Sequence, residues 1–531
     1  MVVAEKTADL TFLPPVAQTG NFIMDPVIAG MIKGMMESMD VRLELFDKYE
    51  SYYIGVQGTS LASAKFRSDF GYLFRTPFSA NWCQVVVDAV EERSIVQGFR
   101  FGDGMEDSED QWKELDDTAW AIWKHNNLDA GSSMCHTESL VKGVGYVLVS
   151  PGDPYPMITP EDGAQCIVTH EAGTGRRMAG LKRWVDTFGF QNVTLYLPDR
   201  IEKYVTARPI RLEAGKTPTV TWGVNSLVPR VVEGESWPLA HSLGVVPLVA
   251  FPNRPRLAAT PDGLSELESL LPLQDAVNKE LLDLLVASEF AAFRQRWATG
   301  LEIPVDPVTG QQLEPFKTAV DRLWVVEPTG TGDEPKFGEF SATDLVPYVK
   351  AVELLVQQVA SITRTPAHYL LAGQTVLPSG ETLRSSEAGL VAKTRRKHLF
   401  WGNAWVDVMK MALSLAGKNI EKLAGETTWM DPEMKAEGAH IDALSKLLTI
   451  GVPPEQLWLD AGYTPAQVER FKTLNEEAEA KAEAKAKELQ DQMMAQGANV
   501  NNPDGSVSKN APPSVQKTPP KTPPKGGKPN A

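Results

Sequence analysis

Several short groups of residues in this chain have the types and spacing to do chemistry. Gly215-Lys216-Thr217 ends like a phosphate-binding loop, where a lysine and a hydroxyl reach phosphates and Mg2+. Ile210 stands where that loop's first glycine belongs and Pro218 follows, so nucleotide binding is rejected. His170-Glu171 opens like a zinc-protease helix motif, but Gly173 and Thr174 come next and no second histidine follows. Ser139-x-x-Lys142 and Gly143-x-Gly145 match larger motifs only at the level of chance. His125, His136, His170, His241, His368, His398 and His440 show no ligand spacing. Arg364 and His368 flank Thr365-Pro366, which reads as a cation near a proline-terminated helix end rather than a catalytic pair. None of these groups assembles an active site. The expectation is a protein that is not an enzyme and holds neither cofactor nor metal.

Binding candidates are more numerous. Lys393, Arg395, Arg396, Lys397 and His398 form a dense basic run. Adjacent residues on a helix diverge by ~100°, so these five cannot share one face. Phosphate contact, ion pairing between subunits and a solvated face all remain open for them. Gly373, Gln374, Thr375, Val376, Leu377, Pro378, Ser379 and Gly380 make a loop in which the glycines free the backbone and the proline limits it. Its small, uncharged tips suit sliding past a smooth polyanion; an ordinary helix–helix connection with Val376 and Leu377 as buried anchors explains it equally well. Trp120 with Trp123 and Trp401 with Trp405 have helical spacing, which favours packing over base stacking.

The elements that must position these residues are legible in outline. A chain of 531 residues with 43% hydrophobic residues exceeds what one core serves, which implies several domains. Its formal charge of −16 excludes strong nonspecific attraction of the body to DNA or anionic membranes. Cys83, Cys135 and Cys166 make no CxxC, which predicts plain thiols in a reducing compartment. The N-terminal sequence MVVAEKTADLTFLPP predicts no signal peptide, and no apolar run approaches the ~20 residues of a membrane span.

The longest pattern runs from Gly263 to Gly300, read as one helix of about 30 residues, roughly 45–50 Å long. Ser265 and Glu268 would form a capping box, Leu267, Leu270, Leu271, Gln274, Val277, Leu281, Leu284, Leu285, Ala291 and Phe293 a buried stripe, and Arg294 and Arg296 the last turn. A Pro/Gly-rich insert follows over 301–340. A second helix begins at Ser341 and Asp344, and a third spans about 381–416. Upstream, VVVDAVEERSIVQGFRF and SLVKGVGYVLVSP each read as a helix running into a strand. QCIVTHEAGTGRRMAGLKRWVD reads as a hairpin, and NVTLYLPDRIEKYVT carries a period of two. A charged helix ends near 495, and the lysine-bearing tail beyond it has no hydrophobic anchors.

In this order, SELESLLPLQDAVNKELLDLLVASEFAAFRQRWATG, SITRTPAHYLLAG and LPSGETLRSSEAGL resemble the portal proteins of long-tailed, double-stranded DNA phages, those of actinobacteria in particular. ERSIVQGFRF, IWKHNNLD, KGVGYVLVSP and LYLPDRI are similar to the same family, so the resemblance covers about 23–472. It implies an α+β portal fold. Behind a flexible segment 1–22, a mixed α/β wing would occupy 23–262, stem helices 263–297 and 341–365, and a small β-rich clip 298–340. A tunnel loop would occupy 366–381, a long kinked helix returning to the wing 382–428, a helical crown 429–495 and a disordered basic tail 496–531. The resemblance further implies a ring of twelve subunits at one capsid vertex of the virion, assembled in the host cytoplasm. It would conduct double-stranded DNA during packaging and ejection. Its partners would be the large terminase, a head–tail adaptor and the major capsid protein, with no membrane. In that setting Gly373–Gly380 would line the channel, and Lys393, Arg395, Arg396 and Lys397 would touch DNA or neighbouring subunits. The alternative is a capsid-associated structural adaptor with no DNA channel.

Overall fold

The computed structural model describes residues 22–58, 79–102, 109–209, 222–232, 234–256, 263–292, 296–299, 336–339, 344–370, 380–420, 423–433, 437–463 and 465–498. The chain divides into two compact units, 1–440 and 441–531.

The first unit opens with α1 (Pro26–Tyr53), whose start is fixed by Asp25: its carboxylate accepts from the Val27 amide at 2.8 Å, and Pro26 follows. Then come α2 (Trp82–Glu91), β1 (Val96–Gly102), α3 (Glu109–His125), α4 (Leu128–Lys142), β2 (Val144–Ser150), β3 (Met157–Glu161), β4 (Cys166–His170) and β5 (Arg177–Val185). They are followed by β6 (Gln191–Tyr196), β7 (Arg200–Thr206), β8 (Leu227–Pro229), β9 (Leu239–Ala240) and β10 (Leu248–Pro252). Strands β4 to β8 form an antiparallel meander with β9 on β7, and β2 lies between β10 and β3. The α1 stripe Ile28, Ile32, Met35, Met36 and Met39 is buried in one core with Ile167, Leu181, Val193 and Leu195 of the meander. The expected period of two fails in β6, where every residue is buried. Its polar Asn192 is bonded instead, donating to Asp186 at 3.1 Å and accepting from Arg230 at 3.2 Å.

Next come α5 (Leu271–Ala292), β11 (Arg296–Thr299), β12 (Lys336–Glu339), α6 (Val346–Thr363) and the short α7 (Ala367–Leu370). Helices α5 and α6 pack on each other, and β11 pairs antiparallel with β12, so the two helices and two strands form one long hairpin. The hairpin corrects the expected single helix over 263–300. Its regular part starts at Leu271, and Arg296, expected in a last helical turn, lies in a strand. Leu281 and Leu284 of the expected stripe are half-buried, and Leu285 is exposed, while Val277 and Leu282 are buried. For α6, Asp344 accepts from the Val346 amide at 3.0 Å; Ser341 lies outside the described residues.

The unit is completed by α8 (Gly380–Leu415), β13 (Ala424–Trp429) and α9 (Glu437–Thr449), whose end crosses into the second unit. Strand β13 pairs with β1, joining residues more than three hundred positions apart, and was not foreseen in the sequence. Trp123, Trp401 and Trp405 are completely buried in the larger core, as their helical spacing predicts. Truncating such a ring to alanine costs about 3–5 kcal/mol. The second unit contains α10 (Pro454–Asp460) and α11 (Pro465–Ala498). Phe471 of α11 packs edge-on against Trp458 and Tyr463, with ring centroids 5.7 and 5.1 Å apart.

Candidate functional site

Two largely buried charged clusters of the first unit are built on α8. Its inward face carries Glu387, Leu390, Val391, Thr394, Lys397, His398 and Trp401, all buried and spaced three or four residues apart. A lysine on such a face needs a counter-charge, and Glu266 supplies it. The Lys397 ammonium lies 2.7 Å from one Glu266 oxygen and the Lys393 ammonium 3.1 Å from the other. Lys393 also donates to the Thr363 carbonyl at the end of α6, at 2.7 Å. Lys397 also donates to the Asn253 side-chain oxygen. One carboxylate thus clamps α8 to the segment leading into α5 and, through Lys393, to the end of α6.

The backbone around Glu266 is built for this position. The Asn253 amide donates to the Gly143 carbonyl at 2.7 Å, and the Leu264 amide donates to the Asn253 carbonyl at 2.7 Å. Gly263 has φ +82°, and a Cβ there would lie 2.3 Å from the Asn253 carbonyl oxygen. Ser265 does not form the expected capping box with Glu268. Its hydroxyl donates to the Val141 carbonyl at 2.5 Å and accepts from the Leu267 amide at 3.0 Å, so it pins this segment to the end of α4.

Burial alone would raise the Glu266 pKa, but the two lysines outweigh it and hold the carboxyl well below its ordinary range. The cluster carries two cations and one anion. Burial therefore lowers Lys397 to about 8, although Glu266 opposes the shift.

A second charged cluster sits about two to three turns closer to the start of α8. Arg93 lies 3.3 Å from Glu387 and donates to the Tyr369 hydroxyl at 2.7 Å. Tyr369 donates to Glu387 at 3.0 Å, Arg93 also donates to the Pro432 carbonyl at 3.1 Å, and His368 approaches Glu387 at 3.8 Å. Tyr369 precedes the segment 371–379 and Glu387 follows it, so this cluster ties the two ends of that segment together.

Behind the clusters, His136 stacks on Trp401 with centroids 4.5 Å apart, and His398 on Trp429 at 4.2 Å. Trp405 donates its indole N–H to His136 Nε2 at 3.0 Å, which places the imidazole proton on Nδ1. Burial lowers the His136 pKa to about 3 and that of His398 to about 4, so both are neutral structural rings.

These positions revise the sequence-based expectations. Gly373, Gln374, Thr375, Val376, Leu377, Pro378 and Ser379 lie outside the described residues, and Gly380 is the first residue of α8. The basic run splits. Lys397 is buried and Lys393 is largely so, and both pair with Glu266 of their own chain. Arg395 is exposed and pairs with Asp431 at 3.1 Å and Glu433 at 3.5 Å, and Arg396 is exposed. Glu266, Asn253, Arg93, Tyr369 and Glu387 were not singled out in the sequence. The available signal was the spacing of Lys393 and Lys397, one helical turn apart and in line with Leu390 and Trp401.

Charged groups placed this way brace α8 against the elements around it, in a chain built around a long helical hairpin. Residues 40–490 match the family described as phage portal protein, SPP1 Gp6-like. The portal protein of Mycobacterium phage D29 is 31% identical over 415 residues, covering 74% of this chain and 78% of that protein. The portal protein of Mycobacterium phage L5 is 30% identical over 418 residues, with the same coverage. The chain belongs to the SPP1 Gp6-like family of phage portal proteins.

Proposed function

We propose that this chain assembles into a ring of twelve at one capsid vertex of the virion and conducts double-stranded DNA during packaging and ejection. Family membership across 40–490 is the observation that carries this reading. The hairpin of α5 and α6 serves as the stem, and the insert between β11 and β12 is the clip that docks the large terminase and later a head–tail adaptor. Segment 371–379 lines the channel. Its uncharged sequence offers a polyanion nothing to adhere to, and the Tyr369–Glu387 link supports it from behind. Residues 429–495 form the crown, and the major capsid protein surrounds the ring.

Two exposed surfaces fit contacts between subunits. Val346, Val349, Leu354 and Ile362 of α6 are each 45–57% exposed, an unusual density of open apolar residues on one helix. Arg395, Arg396 and Leu399 share the outward face of α8, where ion pairing with an acidic neighbour extends the reading of the basic run.

The test is native mass spectrometry with negative-stain imaging of the purified protein. The expected result is a ring with an open centre. A persistent monomer excludes the assembly, and a ring with a closed centre favours an adaptor that conducts no DNA.

A further inference from the structure

The Glu266 site also holds the parts of a covalent reaction. Lys397, Asn253 and Glu266 are each no more than 5% exposed, and each touches the other two. The Lys397 ammonium donates to the Asn253 side-chain oxygen, which leaves its nitrogen one short rotation from the amide carbon. The Asn253 amide has one satisfactory orientation. Its nitrogen donates to the Leu264 carbonyl at 2.8 Å, and a carbonyl only accepts, so the oxygen turns toward Lys397. Glu266 Oε2 lies 2.7 Å from the lysine nitrogen and 3.5 Å from the Asn253 amide nitrogen. One carboxylate oxygen thus stands between an amine and the nitrogen it could displace.

The charges favour that displacement. Lys393 and Lys397 against Glu266 leave a surplus positive charge in the interior, and Arg254 adds its field at Lys397. With a pKa lowered to about 8, about a tenth of Lys397 is free amine at pH 7.

We propose that the side chains of Lys397 and Asn253 become joined by a self-catalysed amide bond, with Glu266 carrying the protons. Glu266 takes a proton from the Lys397 ammonium, and the freed amine attacks the Asn253 side-chain carbon. A C–N bond forms, and the positive charges of Lys393 and Arg254 favour the oxyanion that develops. Glu266 then protonates the Asn253 nitrogen and the old C–N bond breaks. Ammonia leaves and takes the second lysine proton with it as ammonium. Glu266 ends as the carboxylate it began as, and nothing is oxidised or reduced. The ammonium carries the surplus charge out, leaving a neutral amide beside the Lys393–Glu266 pair. Until the bond closes the ion pairs alone hold the site, and the electrostatic energies of the clamp belong to that open form. The closed form ties α8 to the end of β10 across 144 residues of chain.

Mass spectrometry of the denatured full-length protein tests the bond. The expected wild-type mass is the sequence mass less one ammonia, and a digest should contain one branched peptide joining Asn253 to Lys397. Lys397→Met, which leaves Glu266 paired with Lys393, should keep its full sequence mass. Wild-type protein at full sequence mass, in a sample that unfolds cooperatively, overturns the proposal. Ammonia loss without the branched peptide, or equal loss in Lys397→Met, overturns it as well. Glu266→Gln tests the proton carrier: a soluble variant at full sequence mass is expected, and one that still forms the branched peptide overturns the role of Glu266. The wild-type measurement decides the bond whether or not that variant folds.

Discussion

Tyr369 and Glu387, separated by the segment 371–379, are joined by a 3.0 Å hydrogen bond, and Arg93 holds both. The pairing of Arg93 with Glu387 is largely buried, with side-chain exposures of 9% and 10%. Replacing Glu387 with glutamine leaves a buried guanidinium without its counter-charge and should cost about 3–5 kcal/mol of stability. Tyr369→Phe removes two hydrogen bonds to charged partners but leaves the ion pair in place, and should cost about 2 kcal/mol. Denaturant unfolding of the two variants gives this order; equal losses would mean the hydroxyl, not the ion pair, ties the segment ends.

The Glu266 clamp makes an asymmetric prediction. Glu266→Gln strands two lysines in the interior and should destabilise by about 3–5 kcal/mol. Lys397→Met keeps Lys393 paired with Glu266 but leaves the buried Asn253 oxygen without its donor, so it should cost less, about 1–2 kcal/mol. Thermal unfolding of both variants distinguishes this clamp from a dispensable surface pair, for which both changes would be small.

Acid should weaken the first unit before most carboxylates titrate. His136 and His398 have folded pKa values of about 3 and about 4, below the ordinary 6.5. Below pH 6.5 the unfolded chain takes up protons that the folded chain refuses, so stability falls as pH falls. The loss begins near pH 6.5 and continues to about 4 for His398 and about 3 for His136. Each pH unit costs up to about 1.4 kcal/mol per histidine. His398→Phe, which retains a ring against Trp429, should flatten the pH dependence measured by denaturant unfolding between pH 6.5 and 4.5. An unchanged slope would contradict the assignment.

Gly263→Ala should be among the most damaging single-methyl changes in the chain. The added carbon meets the carbonyl oxygens of Asn253 and Gly143 at 2.3 and 2.6 Å, at a backbone angle of φ +82°. Loss of soluble expression or a large drop in melting temperature is expected. Gly417→Ala, also at positive φ but with open space around it, should cost about 1 kcal/mol.

Local patterns were readable in this sequence where one helix or hairpin sets its own geometry. The turns at α2–β1 and α4–β2, the β4–β5 hairpin and the body of α8 fall where residue periodicity places them. Partners distant in sequence were not readable. Glu266 looked like part of a helical first turn because its lysines lie more than a hundred residues away, and Ser265 matched a capping box while serving Val141 instead. The short β13 has strand-favouring Thr427, Thr428 and Trp429 but no apolar alternation, so its pairing with β1 was not legible. Residue pattern gave the order of α5, the insert and α6, but overextended the first helix at both ends.

A cryo-EM reconstruction of the assembled protein tests the central claim most directly. The account predicts a closed ring with an open axial channel, segment 371–379 of every subunit at its wall, and the Tyr369–Glu387 link intact behind it. A ring whose axis is sealed, or one in which 371–379 faces away from the axis, would contradict it.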